Sequence, residues 1–154
     1  MDDLVIETSA SFPWGWVILA IVLVVLAIAV IIGVSQLIRR LTRPEMHGLT
    51  REQVAERWKN IRQTSAQGQM GAKLAVMEAD TLLDSALKSL SMPGTTLGER
   101  LKMACYKYPK LKDVWWAHKI RNQLVHESSF QLSQRMAGQA LDEFEKAFKI
   151  LNLL

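Results

Sequence analysis

Between residues 113 and 127 the chain reads Asp113-Val114-Trp115-Trp116-Ala117-His118-Lys119-Ile120-Arg121-Asn122-Gln123-Leu124-Val125-His126-Glu127. Four of these side chains handle charge or protons. His118, Asn122 and His126 are spaced four apart, which on a helix lines them along one face with Arg121 beside them. A guanidinium presents a fixed fork of donors to phosphate oxygens, and an imidazole exchanges protons near neutral pH. The chemistry this set suits is phosphate handling. The same spacing also fits a solvated face or a hydrogen-bonded helix end, and on spacing alone that reading is the more economical.

The elements that must position these residues are all helical. Leu49-Thr50-Arg51-Glu52-Gln53-Val54 is a helix start: Thr50 caps, Gln53 reaches back, and Leu49 staples onto Val54. Val54, Trp58 and Ile61 then form one apolar stripe, set either to pack on the protein's own domain or to lie along a membrane surface. Thr64 to Gly71, small, polar and twice interrupted by glycine, reads as a flexible linker. A helix over Ala72–Leu90 follows from the recurrence of Ala75, Ala79, Leu82, Leu83, Ala86 and Leu90, with Asp80, Asp84 and Lys88 off that stripe. Thr96 and Glu99 open a further helix that stops near Pro109. The helix bearing the polar stripe should run from about Lys112 to about His126. A last one, capped by Ser133, carries Ala137, Ala140, Leu141, Phe144, Ala147, Phe148 and Leu151 on one side. No segment alternates with period two for long enough to suggest a strand.

The N-terminal part is a different material. No charged residue occurs from Thr8 to Ile38, and Trp16 to Val34 is almost wholly Ile, Leu, Val and Ala. Those nineteen residues make a helix of about 28 Å, close to the hydrocarbon thickness of a bilayer. Trp14 and Trp16 suit one interface, and Arg39, Arg40 and Arg43 cluster at the other. All nineteen Lys and Arg lie at or after Arg39, against twelve acids there, a balance of +7, while Asp2, Asp3 and Glu7 give the preceding tail −3. This asymmetry predicts a cytoplasmic C-terminal part and an N-terminus outside. An acidic n-region and a long apolar core argue for an anchor over a cleaved signal peptide. The span holds no ionisable side chain, which argues against a pump or channel. Ala29 and Gly33 give a small-xxx-small spacing, though such residues are common in membrane helices.

The expected architecture is therefore an all-α chain, an N-terminal transmembrane helix followed by a small cytoplasmic helical bundle. The divisions expected are a tail at 1–13, the span at 14–38, a juxtamembrane helix and linker at 39–71, and the helical domain at 72–154. The single cysteine, Cys105, reads as a buried thiol in a reducing compartment. No CxxC, HExxH, EF-hand or P-loop spacing is present, so no metal or nucleotide cofactor of those kinds is signalled.

Arg121-Asn122-Gln123-Leu124-Val125-His126 resembles the Arg-x4–6-His motif of the HEPN superfamily, helical domains found in many prokaryotic RNases and toxins. The stretch from Trp58 through Phe144 is also similar to single-span bacterial proteins with an AHKxRNxxxHE segment, which implies a bacterial inner membrane. In catalytic HEPN members the motif works across a dimer and cleaves RNA without metal. Carried over, the resemblance implies catalytic roles for Arg121, Asn122 and His126. His126 would be the general acid/base, Arg121 would stabilise charge developing on the phosphate, and Asn122 would orient one of them. His118 lies outside the motif and should matter less.

Two function classes follow from these readings. One is a membrane-tethered HEPN-like module that binds or cleaves RNA as a homodimer. The other is a non-catalytic interaction or dimerisation module, in which the Arg–His stripe holds the fold and Trp115 or Trp116 anchors a partner. The partners in view are the lipid bilayer, a second copy, RNA, or another membrane protein packed on the Val54 stripe.

Overall fold

The computed structural model describes residues 14–41 and 47–154, with side chains described for 14–37 and 47–154. The acidic tail, Arg43 and Pro44 lie outside the described residues, as do the side chains of Arg39 and Arg40. Two compact units divide at Arg43/Pro44, and every regular element described is helical.

The first unit holds α1, Trp14–Leu41. Its segment Trp14–Leu37 has a mean hydropathy of 3.6 and is wholly unburied by the protein. It is long and apolar enough to cross a membrane, at about 1.5 Å per residue. Within it, the Ser35 hydroxyl donates to the Ile32 carbonyl at 2.8 Å, so its one hydroxyl past Trp16 is satisfied internally.

The second unit is a bundle of α2 (Arg51–Ser65), α3 (Gly68–Ser89), α4 (Leu97–Lys107), a 3-10 turn at Pro109–Asp113, α5 (Val114–His126) and α6 (Gln134–Ile150). The helix starts follow the capping chemistry of the sequence. Thr50 Oγ1 accepts from the Gln53 amide while Gln53 Oε1 accepts from the Thr50 amide. Thr96 and Glu99 reciprocate in the same way at α4, and Ser133 Oγ accepts from the Met136 amide at α6.

The structure corrects the expected linker. Only Ala66 and Gln67 separate α2 from α3, and their amides bond back to Gln63 and Thr64. The two glycines make the reversal tight rather than loose. Gly68 sits at φ +77, and a Cβ on Gly71 would lie 2.2 Å from the Thr64 carbonyl oxygen. Glycine here permits close approach of two helices. The second unit accordingly includes α2 together with the helices from α3 onward. Val54, Trp58 and Ile61 are buried in the common core, so this stripe packs on the protein's own domain and leaves the membrane-surface reading without support. The Trp58 ring meets Phe148 of α6 at 5.3 Å between centroids.

At the centre lies α3, whose Ala72, Ala75, Ala79 and Ala86 let neighbouring helices approach closely, while Val76, Leu83 and Leu87 fill the space between. Phe144 and Phe148 of α6 are the largest fully buried side chains. Both ends of this bundle are tied in. The His47 amide donates to the Ser89 carbonyl, and Arg51 Nε donates to the Asn152 carbonyl.

Candidate functional site

The stripe side chains of α5 turn toward α3 and the start of α4. Together these elements line a cleft of about 560 Å³ that includes Asp80, Asp84, Lys88, Thr96, Arg100, His118, Arg121 and Asn122. At its floor is Asp80, 2 % exposed. Its Oδ1 lies 2.6 Å from His118 Nδ1, and its Oδ2 lies 3.2 Å from Arg121 Nε. The latter is an ion pair without hydrogen-bond alignment. Arg121 Nη1 donates to Asn122 Oδ1 at 3.1 Å, and Asn122 Nδ2 lies 3.2 Å from His118 Nε2.

The directions of these bonds fix one another. The guanidinium can only donate, so Asn122 must turn its oxygen to Arg121 and its NH₂ to His118. His118 Nε2 is then an acceptor. The ring proton sits on Nδ1 and is donated to Asp80, an assignment that follows from the network. Each polar end of His118 is occupied, and the Asp80 carboxylate is balanced by Arg121. This is a closed chain of four side chains between α3 and α5. Trp115 packs edge-on to the His118 ring at 5.9 Å and covers it from the α4 side.

Beside this chain is a second ion pair, with a buried guanidinium and a half-buried carboxylate. Arg100, 4 % exposed, donates from Nε to Asp84 Oδ1 at 2.8 Å and from Nη1 to the Gly94 carbonyl. Lys88 closes on Asp84 Oδ2 from the next turn of α3 at 2.7 Å. Gly94 takes φ +142, and a Cβ there would lie 2.7 Å from the Arg100 amide nitrogen. Only glycine lets the turn deliver its carbonyl to the guanidinium. Burial pushes the Asp84 carboxyl up, but the hydrogen bonds and charges of Lys88 and Arg100 outweigh it and hold the group below its ordinary value of 3.8.

That depression has a pH consequence with a definite sign. A carboxylate whose folded value is lowered binds its proton less readily in the native state than in the unfolded chain. Its contribution is therefore present above the ordinary Asp range, about pH 4, and is lost as pH falls through the lower folded value. Chemical denaturation between neutral and acid pH should show stability falling below about pH 4. Asp84→Asn should lower the neutral-pH plateau and flatten part of that fall. Glu99 and Glu145, also held low by hydrogen bonds, retain the remainder. An unaltered acid limb in the variant would show that Asp84 is not one of its sources.

Of the residues assigned a role from the sequence, Arg121 and Asn122 meet in this cleft. His126 does not line it: it is exposed in the last turn of α5. His118, set aside earlier, is instead the best-connected histidine. Asp80 was missed because it falls beside the apolar stripe of α3. The available signal was that a face carrying Arg121 and His118 needs a buried counter-charge once it packs inward. Cys105 is buried as expected, and burial pushes its thiol up despite the opposing influence of Trp115. Among the described residues, no group of three His, Cys, Asp or Glu side chains is placed to hold a metal ion.

Comparison of the chain with known proteins finds no matching family model, no matching curated protein and no matching solved structure.

Proposed function

We propose that the chain is a membrane-anchored helical interaction module that works by binding a protein partner, in the first instance a second copy of itself. The observation that carries this reading is the closed Asp80–His118–Asn122–Arg121 network. A general base needs a free lone pair within reach of a substrate proton, and both ring nitrogens of His118 are already engaged. Arg121 is turned to Asp80 and Asn122, with its side chain 31 % exposed. The polar stripe thus does the work of fastening α5 to α3. Among the side chains α5 leaves at the surface are Trp115 and Trp116, 38 % and 40 % exposed. Trp116 also borders a shallow groove with Gln139, Asp142, Glu143 and Lys146 of α6. A half-exposed indole with polar neighbours is the common form of an interface anchor.

A second reading, RNA cleavage of HEPN type, keeps one specific point in its favour. His126 is exposed five residues beyond an Arg121 that is held in place, so a second copy could complete a site that one chain leaves open. The two readings separate on one preparation. The fragment 47–154 should sediment as a dimer at concentrations on the order of micromolar. Trp116→Ala should weaken that association by about thirtyfold, the scale of a central anchor. Single-stranded RNA incubated with the dimer and a chelator should remain intact. Cleavage to 2′,3′-cyclic phosphate ends that disappears in His126→Ala would replace the interaction reading with the catalytic one.

A further inference from the structure

The outer face of α4 and the turn after it play no part in the network. From Arg100 to Lys112 the chain carries five cations and no acid. Arg100 is buried against Asp84, which leaves Lys102, Lys107, Lys110 and Lys112, all exposed. On α4, Lys102 and Tyr106 are one turn apart, as are Met103 and Lys107, so these four share one face opposite the buried Leu101, Ala104 and Cys105. Tyr106 is 88 % exposed and Met103 45 %. With Lys102, Pro109 and Lys112 they border a shallow, mostly apolar groove. Lys107 stands 5.5 Å from the Tyr108 ring centroid. The next acid along the chain, Asp113, acts on Lys146 of α6. Among the described residues, none of the four lysines forms a salt bridge.

We propose that the face formed by Lys102, Met103, Tyr106, Lys107 and Lys112 docks on an anionic phospholipid surface, with Met103 and Tyr106 entering the headgroup layer. The complementarity is twofold. Lysines attract the negative surface potential of an anionic leaflet, and an aromatic ring with a hydroxyl tip suits the headgroup level. A methionine and a tyrosine between lysines offer apolar area that a lipid boundary accepts, whereas RNA would use the ring alone for stacking. A chain held at a bilayer by α1 meets that surface at high effective concentration, so modest intrinsic affinity is enough. The surface shares no lining residue with the Arg121 cleft or the Trp116 groove, and the inference stands or falls independently of the proposed association.

The fragment 47–154 contains every residue of the core, from Val54 to Leu153, and so can be studied without the span. It should co-sediment with vesicles of equal parts phosphatidylcholine and phosphatidylglycerol, release as salt is raised, and ignore vesicles of phosphatidylcholine alone. Lysine near such a surface contributes about fivefold in affinity, about 1 kcal/mol each. Replacing Lys102, Lys107 and Lys112 by glutamine should therefore weaken binding by about a hundredfold at unchanged helicity and melting temperature. Tyr106→Ser should weaken it by about tenfold while preserving the salt dependence. The inference is overturned if anionic vesicles are not bound, if the triple variant binds them as well as wild type, or if the lysines prove to serve single-stranded RNA and not vesicles.

Discussion

Asp80→Ala should be among the most damaging single substitutions in the folded unit. The carboxylate is 2 % exposed and receives both His118 Nδ1 and the Arg121 guanidinium. Removing it strands the His118 ring donor, whose side chain is 12 % exposed, and leaves Arg121, 31 % exposed, without its buried counter-charge. Breaking one side of a buried ion pair costs about 3–5 kcal/mol, because the remaining charge stays desolvated without its partner. A domain of this size holds about 5–15 kcal/mol in all. Urea denaturation followed by circular dichroism should therefore show much of the stability gone, with a melting temperature lower by on the order of 10–20 °C. Asp80→Asn should fall between, since it keeps an acceptor oxygen for His118 but not the charge that balances Arg121. A loss below about 1 kcal/mol for Asp80→Ala would mean that the carboxylate does not anchor the network.

Trp58→Ala should rival it for a different reason. Trp58 is 6 % exposed, packs on Phe148, and has Arg62 5.5 Å from its centroid, while Arg62 pairs with Asp142 and Glu145 of α6. Truncating a buried aromatic leaves a cavity and costs about 3–5 kcal/mol. The stronger form of the test is to delete α2 outright. A fragment beginning at Ala72 should bind a hydrophobic dye and melt without a sharp transition, because the α3 and α6 surfaces that cover Trp58 and Ile61 would face water. A cooperative transition equal to that of 47–154 would make α2 an appendage.

The helices were legible because their signals are local. Capping pairs at Thr50/Gln53 and Thr96/Glu99 mark starts, Ser133 marks another, and the α6 stripe from Ala137 to Leu151 marks a buried face. The reversal between α2 and α3 was not legible, because glycine serves equally for a flexible tether and for a close helix approach. Gly68 and Gly71 are of the second kind only in view of Thr64. At the candidate site, α5 could be read as a polar face, but not where that face points. Asp80 is 38 residues from His118 in sequence, and only tertiary packing shows that the stripe turns inward onto a carboxylate. His126 is parted from Arg121 by the helix itself, since five residues turn an α-helix by about 140° beyond a full circle.

If Arg121 is held for the fold, its energetic coupling to Asp80 must be large. A double-mutant cycle of Asp80→Ala, Arg121→Ala and the pair, read by urea denaturation of the fragment 47–154, isolates that term. With the two charges partners in a shared buried network, Arg121→Ala alone should be costly, and the double variant should recover about 2 kcal/mol or more of the summed losses. Coupling below about 0.5 kcal/mol, with Arg121→Ala as stable as wild type, would contradict the claim.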